Sequence, residues 1–258
     1  MKLKKQLITV AGLAFVGGFF LMSMNANAAG RGCGRGCSNN QQPCTASSPA
    51  ANLPVEQLSS EERDGLIKML EEEKLARDTY SVLYKRWGLQ IFSNISKSEQ
   101  QHMSAIKTLL DKYKISHPAV DASQGIFKDQ QLQELYTSLT RQGEQSLAEA
   151  LKVGATIEEL DIKDLYDYLE QTDNTDIKTV YQNLAKGSRN HLRSFSAQLS
   201  QNKTDFTPQF LTAAQVSEIV NSPRERGRVN ADGEQVAGGR GFGRGSGRGR
   251  GHGFNKRI

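Results

Sequence analysis

LEEEKLARDTYSVLY, residues 70–84, decides how this chain is read, because it puts a carboxylate where a helix should bury leucine. At roughly 100° per residue, Leu66, Met69, Leu70, Glu73, Arg77, Tyr80 and Tyr84 share one helical face, with Glu73 near its middle. An ionised carboxylate left dry and unpaired costs several kcal/mol, so this face calls for a cation or a protein partner.

Outward from this stretch the same anomaly recurs. Ser59 and Glu62 have capping-box spacing at the start of the first helix, and Gly88 stops it. A second helix, from about Gln90 to Lys114, lines up Phe92, Ile95, Ile106, Leu109 and Tyr113 but interrupts them with Glu99 and His102. After the loop opened by His117-Pro118, a short amphipathic helix runs from Gln130 to Gln142 and Gly143 ends it. The third long helix, about Gln145 to Glu170, sets Leu151, Ala155, Ile162, Leu165 and Leu169 around Glu158, with Glu159 and Asp161 at opposite margins. Beyond a turn at Thr172 to Thr175, the fourth takes Asp176 to about Gln201 with Ile177, Tyr181, Leu184, Ser188, His191 and Phe195 inward, and a last short helix covers Ala213 to Val220.

No strand pattern competes, so the reading is all-α: a four-helix bundle over residues 55–221, with an extra short helix between helices two and three and a short C-terminal helix. The long, helix-bearing connection between helices two and three permits a crossover.

The termini differ from this body. In residues 1–28, Lys2, Lys4 and Lys5 precede an apolar run from Leu7 to Met22, and Ala26-Asn27-Ala28 fits a small-residue cleavage pattern. The expectation is a signal peptide cleaved near Ala28 and an exported, periplasmic or extracellular protein, with an uncleaved anchor as the alternative. Residues 29–54, rich in Gly, Asn, Gln, Ser and Pro, read as a disordered linker. It holds all three cysteines, Cys33, Cys37 and Cys44, so the body has no disulfide and an odd thiol is left over.

The net charge of +5 conceals an asymmetry: residues 51–221 hold 19 Lys+Arg against 25 Asp+Glu, and residues 222–258 hold 9 against 3. The basic Arg-Gly tail over 222–258 reads as disordered. It has the composition of RNA-binding tails, yet an exported protein meets little RNA, so the expected partner is an anionic envelope surface or polymer and not a specific nucleic acid.

Glu99-Gln-Gln-His102 is a Glu-x-x-His pair, whose members project from one helical face and can reach one ion. Bundle-type di-metal sites take such a pair from two helices and a lone Glu from each of the other two. Glu73 and Glu158 supply the lone carboxylates, and Ser188-Arg-Asn-His191 is the second pair with a hydroxyl in place of its carboxylate. Oxygen and imidazole ligands suit iron, manganese or zinc. The alternative is a metal-free polar core in which Arg77 neutralises one or two carboxylates. Glu71, Glu72 and Glu159 read as solvated or marginal, and Tyr80 as packing.

The run from Glu73 to Tyr80 resembles the first helix of rubrerythrin-like proteins, in which a ligand Glu is followed by Ala, Arg and Tyr on the same face. Residues 71–88, 94–103, 151–165 and 187–195 are similar to an uncharacterised group of bacterial and archaeal ferritin-like proteins defined by a domain of unknown function. The resemblance implies a ferritin-like bundle with a dinuclear metal site and no established reaction. It implies Glu73 as the lone ligand of helix one, Glu99 as a bridging carboxylate, His102 as its partner, Glu158 as the lone ligand of helix three and His191 as the second imidazole. Ser188 departs from that pattern, and Asp161, one turn beyond Glu158, is the candidate substitute.

The function expected from these readings is an exported iron protein, most simply di-iron, acting on dioxygen or peroxide by ferroxidase or peroxidase-like chemistry. A homodimer is compatible with it. The alternative is a non-enzymatic envelope scaffold with a structural metal or none.

Overall fold

The computed structural model describes residues 53–117 and 123–236. Six helices account for nearly all regular structure: α1 (Ser60–Trp87), α2 (Gln90–Lys112), α3 (Gln130–Gly143), α4 (Leu147–Gln171), α5 (Thr175–Gln201) and α6 (Ala213–Asn221). The described residues are all-α apart from a small antiparallel ribbon, β1 (Arg228–Val229) with β2 (Gln235–Val236).

Local chemistry sets the helix ends. Ser59 Oγ accepts from the Glu62 amide at 3.1 Å while the Glu62 carboxylate accepts from the Ser59 amide at 2.9 Å, closing a capping box. Gly88 adopts φ +65°, a left-handed stop that a residue without Cβ reaches at little cost. Asp129 caps α3, Ser146 caps α4 and Thr212 caps α6.

The four long helices pack in a ring: α1 lies on α2 and α4, and α5 lies on α4 and α2. Their apolar side chains divide into two clusters. One contains Leu75, Tyr80, Leu83, Phe92, Ile95, Leu151, Ile157, Leu192, Phe195 and Leu199; the other contains Leu66, Met69, Leu70, Met103, Ile106, Leu109, Leu165, Ile177, Tyr181 and Leu184. Following the chain, α1 and α5 pass from the second cluster to the first, whereas α2 and α4 pass from the first to the second. The connection from α2 to α4 therefore returns along the length of the ring, carrying α3, which packs on α1 and α4. Between the clusters each helix crosses one level, and there it presents polar side chains.

Several surface expectations are corrected by what covers the ring. Glu71, Glu72 and Glu159 are buried. Glu71 Oε2 accepts from the Asp129 amide at 3.2 Å where the crossover enters α3, and Glu159 Oε2 accepts from the Gln209 and Phe210 amides at 2.7 and 3.0 Å, where the segment leading to α6 folds over α4. Glu72 Oε1 pairs with Lys68 at 3.0 Å. Arg77, expected to face inward, turns to Asp78 and to Gln100 and reaches none of the central carboxylates.

Residues 222–236, expected to belong to a disordered tail, form a strap along α5. Glu225 accepts from both Arg189 and Arg193, and Asn183 bonds both the carbonyl and the amide of Val229, which is buried. The strands of this strap were not foreseen. The expected signal peptide, the cysteines and the Arg-Gly repeats lie outside the described residues. No helix of the described residues is long and apolar enough to cross a membrane.

Candidate metal centre

Glu73 of α1, Glu99 and His102 of α2, Glu158 and Asp161 of α4, and Ser188 and His191 of α5 all sit at the level between the two apolar clusters. Water is largely excluded there, since Glu73, Glu99 and Glu158 have no exposed surface. The helical register explains the convergence: each residue lies on the stripe that buries its helix, and the ring turns all four stripes toward one axis.

The side chains form a chain centred on Glu99. Its Oε2 lies 2.7 Å from His102 Nδ1 and its Oε1 lies 2.9 Å from His191 Nδ1. Beyond His102, Glu73 Oε2 is 3.1 Å from the same Nδ1; beyond His191, Glu158 Oε2 is 3.3 Å from Nδ1. The imidazoles stack with centroids 5.6 Å apart. Two groups with metal-ligand geometry result, Glu73–Glu99–His102 and Glu99–Glu158–His191, the ligand atoms of each lying within 4.8 Å of one another. Glu99 belongs to both.

Of these close approaches, only that of His102 Nδ1 to Glu73 is an aligned hydrogen bond. Both Glu99 oxygens, Glu73 Oε1, Glu158 Oε2 and His191 Nδ1 are buried without an aligned partner. Donor atoms that converge yet do not pair head to tail suit a cation held among them better than a completed hydrogen-bond network.

The electrostatics follow from burial and crowding. Burial pushes the Glu73 carboxyl up to about 8 against the pull of His102, and burial raises Glu158 despite His191 and Tyr80. Burial likewise raises Asp161 well above the usual range, helped by Glu73 and Glu158. Glu99 goes the other way: burial opposes ionisation, but His191 and His102 outweigh it and hold the carboxyl low. Both imidazoles rise in spite of burial, His102 through Glu73 and Glu99, and His191 to about 10 through Glu99 and Glu158. Burial and crowding together favour charged imidazoles on either side of an ionised Glu99.

Five of the six residues singled out from sequence, Glu73, Glu99, His102, Glu158 and His191, make up the two groups. Asp161 is buried beside them, Oδ2 unpartnered, but belongs to neither group. Ser188 is buried and donates to the Leu184 carbonyl at 3.3 Å, so its hydroxyl is bonded to its own helix. Three further residues had escaped functional assignment. The Tyr80 hydroxyl donates to Glu158 Oε1 at 2.6 Å. Ser98 Oγ lies 3.0 Å from His191 Nε2. The backbone of α5 at Gly187 passes so close to His102 that a Cβ would lie 2.6 Å from Nε2. Tyr80 shares the Glu73 face and was visible as a candidate, whereas nothing in the sequence marks Ser98 or Gly187.

The family model for an uncharacterised protein domain, DUF2202, matches residues 62–223, the stretch that contains every residue of this centre. The chain belongs to the DUF2202 family. An uncharacterised protein of Methanocaldococcus jannaschii, MJ0754, is 51% identical over 177 residues, which is 69% of this chain and 96% of that protein. The crystal structure of that hypothetical protein superposes with a TM-score of 0.66, covering 67% of this chain and 99% of the other. The DUF2202 match leaves residues 1–61 and 224–258 outside it.

Proposed function

We propose that this protein is an exported ferritin-like metalloprotein with a di-iron carboxylate centre that carries out ferroxidase or peroxidase-like chemistry. The observation that carries the reading is the position of Glu99, which offers one oxygen to each of two ligand groups that are otherwise separate. Glu73, Glu99 and His102 would hold one ion, and Glu99, Glu158 and His191 the other. The unpaired buried donors fit such a cation pair, and the crossover from α2 to α4 agrees with a ferritin-like bundle.

A pair of iron ions supplies electrons to dioxygen or peroxide when bound. The chain's own contribution is to bring donors of suitable hardness together, to exclude bulk water between two apolar clusters, and to let carboxylates change their coordination as charge changes. Tyr80 holds one oxygen of Glu158 and so limits that ligand's freedom. Asp161, with Oδ2 unpartnered, lies beside these ligands, and burial together with Glu73 and Glu158 favours its protonated form.

One observation favours the scaffold alternative: the two imidazoles, when protonated, already pair with the carboxylates around them. Anaerobic ferrous titration separates the readings. Uptake of about two irons per chain, lost on Glu99→Ala, is the expected result by analogy with bundle-type di-metal sites. No uptake by the unsubstituted protein would favour the scaffold.

A further inference from the structure

The two ligand groups share Glu99 but differ in what holds their outer atoms. In the group containing His191, Ser98 Oγ lies 3.0 Å from Nε2, and the Tyr80 hydroxyl donates to Glu158 Oε1 at 2.6 Å. Both ligands that this group does not share are thus held at the polar atom not turned to Glu99 or to each other. In the group containing His102, Glu73 Oε1 is buried with no aligned partner, and among the described residues no hydrogen-bond partner faces His102 Nε2, which meets the bare backbone at Gly187 instead.

We propose that Ser98 is a positioning residue that makes the Glu99–Glu158–His191 group the tighter of two unequal metal positions and the first to fill. The inference rests on the metal reading above. A hydroxyl accepting from His191 Nε2–H keeps the proton on that nitrogen and presents Nδ1 to the centre, 2.9 Å from Glu99 Oε1. Ser98 directly precedes Glu99 on α2, so the helical turn that delivers the shared carboxylate also sets the ring on the opposite hairpin. Ligands already oriented lose less freedom when an ion arrives, so their position has the higher affinity. Glu73 and His102 have no such outer partner and instead hold each other through Nδ1, the atom an ion would need, so that contact must open and their position fills second.

The test is an anaerobic Co(II) titration of the full chain, followed by visible absorption and by the paramagnetically shifted imidazole N–H resonances. The unsubstituted protein should bind in two resolved steps, with one slowly exchanging imidazole N–H, that of His191, appearing in the first. Ser98→Ala should weaken the first step by about 10- to 100-fold, the range for loss of an outer partner of a ligating histidine, and make that N–H exchange rapidly. The second step should be unchanged, and Ser98→Thr should restore the first step and the slow exchange. A first step unaltered in Ser98→Ala overturns the proposal while leaving the metal reading intact, as does equal weakening of both steps or a failure of Ser98→Thr to restore binding. Absence of Co(II) uptake by the unsubstituted chain overturns the metal reading and this inference with it.

Discussion

Gly187 matters to the centre through the side chain it lacks. A Cβ at this position would lie 2.6 Å from His102 Nε2, and the imidazole cannot retreat without leaving Glu99 and Glu73. Gly187→Ala is therefore expected to tilt the ring and to weaken metal binding by about tenfold or more, as loss of ligand orientation does. Helicity should be retained, because alanine favours helix at this interior position. Calorimetric titration beside far-UV circular dichroism checks this, and unchanged affinity with retained helicity would contradict it. The residues legible from sequence were those whose anomaly needs only one helix to see: a Glu or His on an apolar stripe announces itself whatever packs opposite. Gly187 and Ser98 act across the gap between two helices, and no periodicity within either helix reports that. Arg77 misled for the reverse reason, since its Cα lies on the inward stripe but its long side chain leaves for Asp78.

The crossover is anchored to α1 by a buried ion pair. Lys74, with no exposed surface, places Nζ 2.6 Å from Asp78 Oδ2, 3.0 Å from the Ser123 carbonyl and 4.3 Å above the Phe127 ring, while Asp78 Oδ2 also accepts from the Gly125 amide at 2.9 Å. Removing one partner strands the other charge, so Asp78→Ala should destabilise the protein by about 3–5 kcal/mol in urea denaturation. A change below about 1 kcal/mol, the scale of a surface pair, would show that the clamp is not part of the stable fold. The strap of residues 222–236 gives a milder case. Glu225→Ala should make it more susceptible to limited proteolysis while leaving the helices intact, and unchanged cleavage would mean that the Arg189 and Arg193 contacts do not hold it. Helices were legible because caps and apolar periods are local, as Ser59 with Glu62 and the stop at Gly88 illustrate. The strap and the coverage of Glu71 and Glu159 were not, because segments without a helical or strand period, such as residues 206–211 and 222–236, take their form only against α4 and α5.

For the whole molecule, the buried titrations set how stability depends on pH. Glu72 and Glu73, both pushed up to about 8 by burial, oppose folding increasingly as pH rises from their ordinary range through 8. His191, raised to about 10 by Glu99 and Glu158 in spite of burial, stabilises the fold fully below its ordinary range near 6.5 and ceases to do so as pH rises through 10. Glu99, Glu62 and Asp164, all held low, contribute stability that disappears under acid. The metal-free protein should therefore melt highest near pH 5–6 and progressively lower toward pH 10. Metal binding needs deprotonated Nδ1 atoms and carboxylates, so the rise in Tm caused by saturating metal should grow over the same interval. Differential scanning calorimetry across pH 5–10, with and without metal, reads both slopes; a metal-free Tm that climbs from pH 6 to 9 would contradict the assignment of these buried groups.

The central claim, that one shared carboxylate organises two cation positions, is tested most directly by crystallising the iron-loaded protein and recording anomalous scattering at the iron edge. The expected map has two peaks flanking Glu99, one against Glu73 and His102 and the other against Glu158 and His191, roughly 3.5–4 Å apart as in two-metal sites. A map with no iron at this level, or with iron bound elsewhere while Glu99 stays paired only to the two imidazoles, would contradict it.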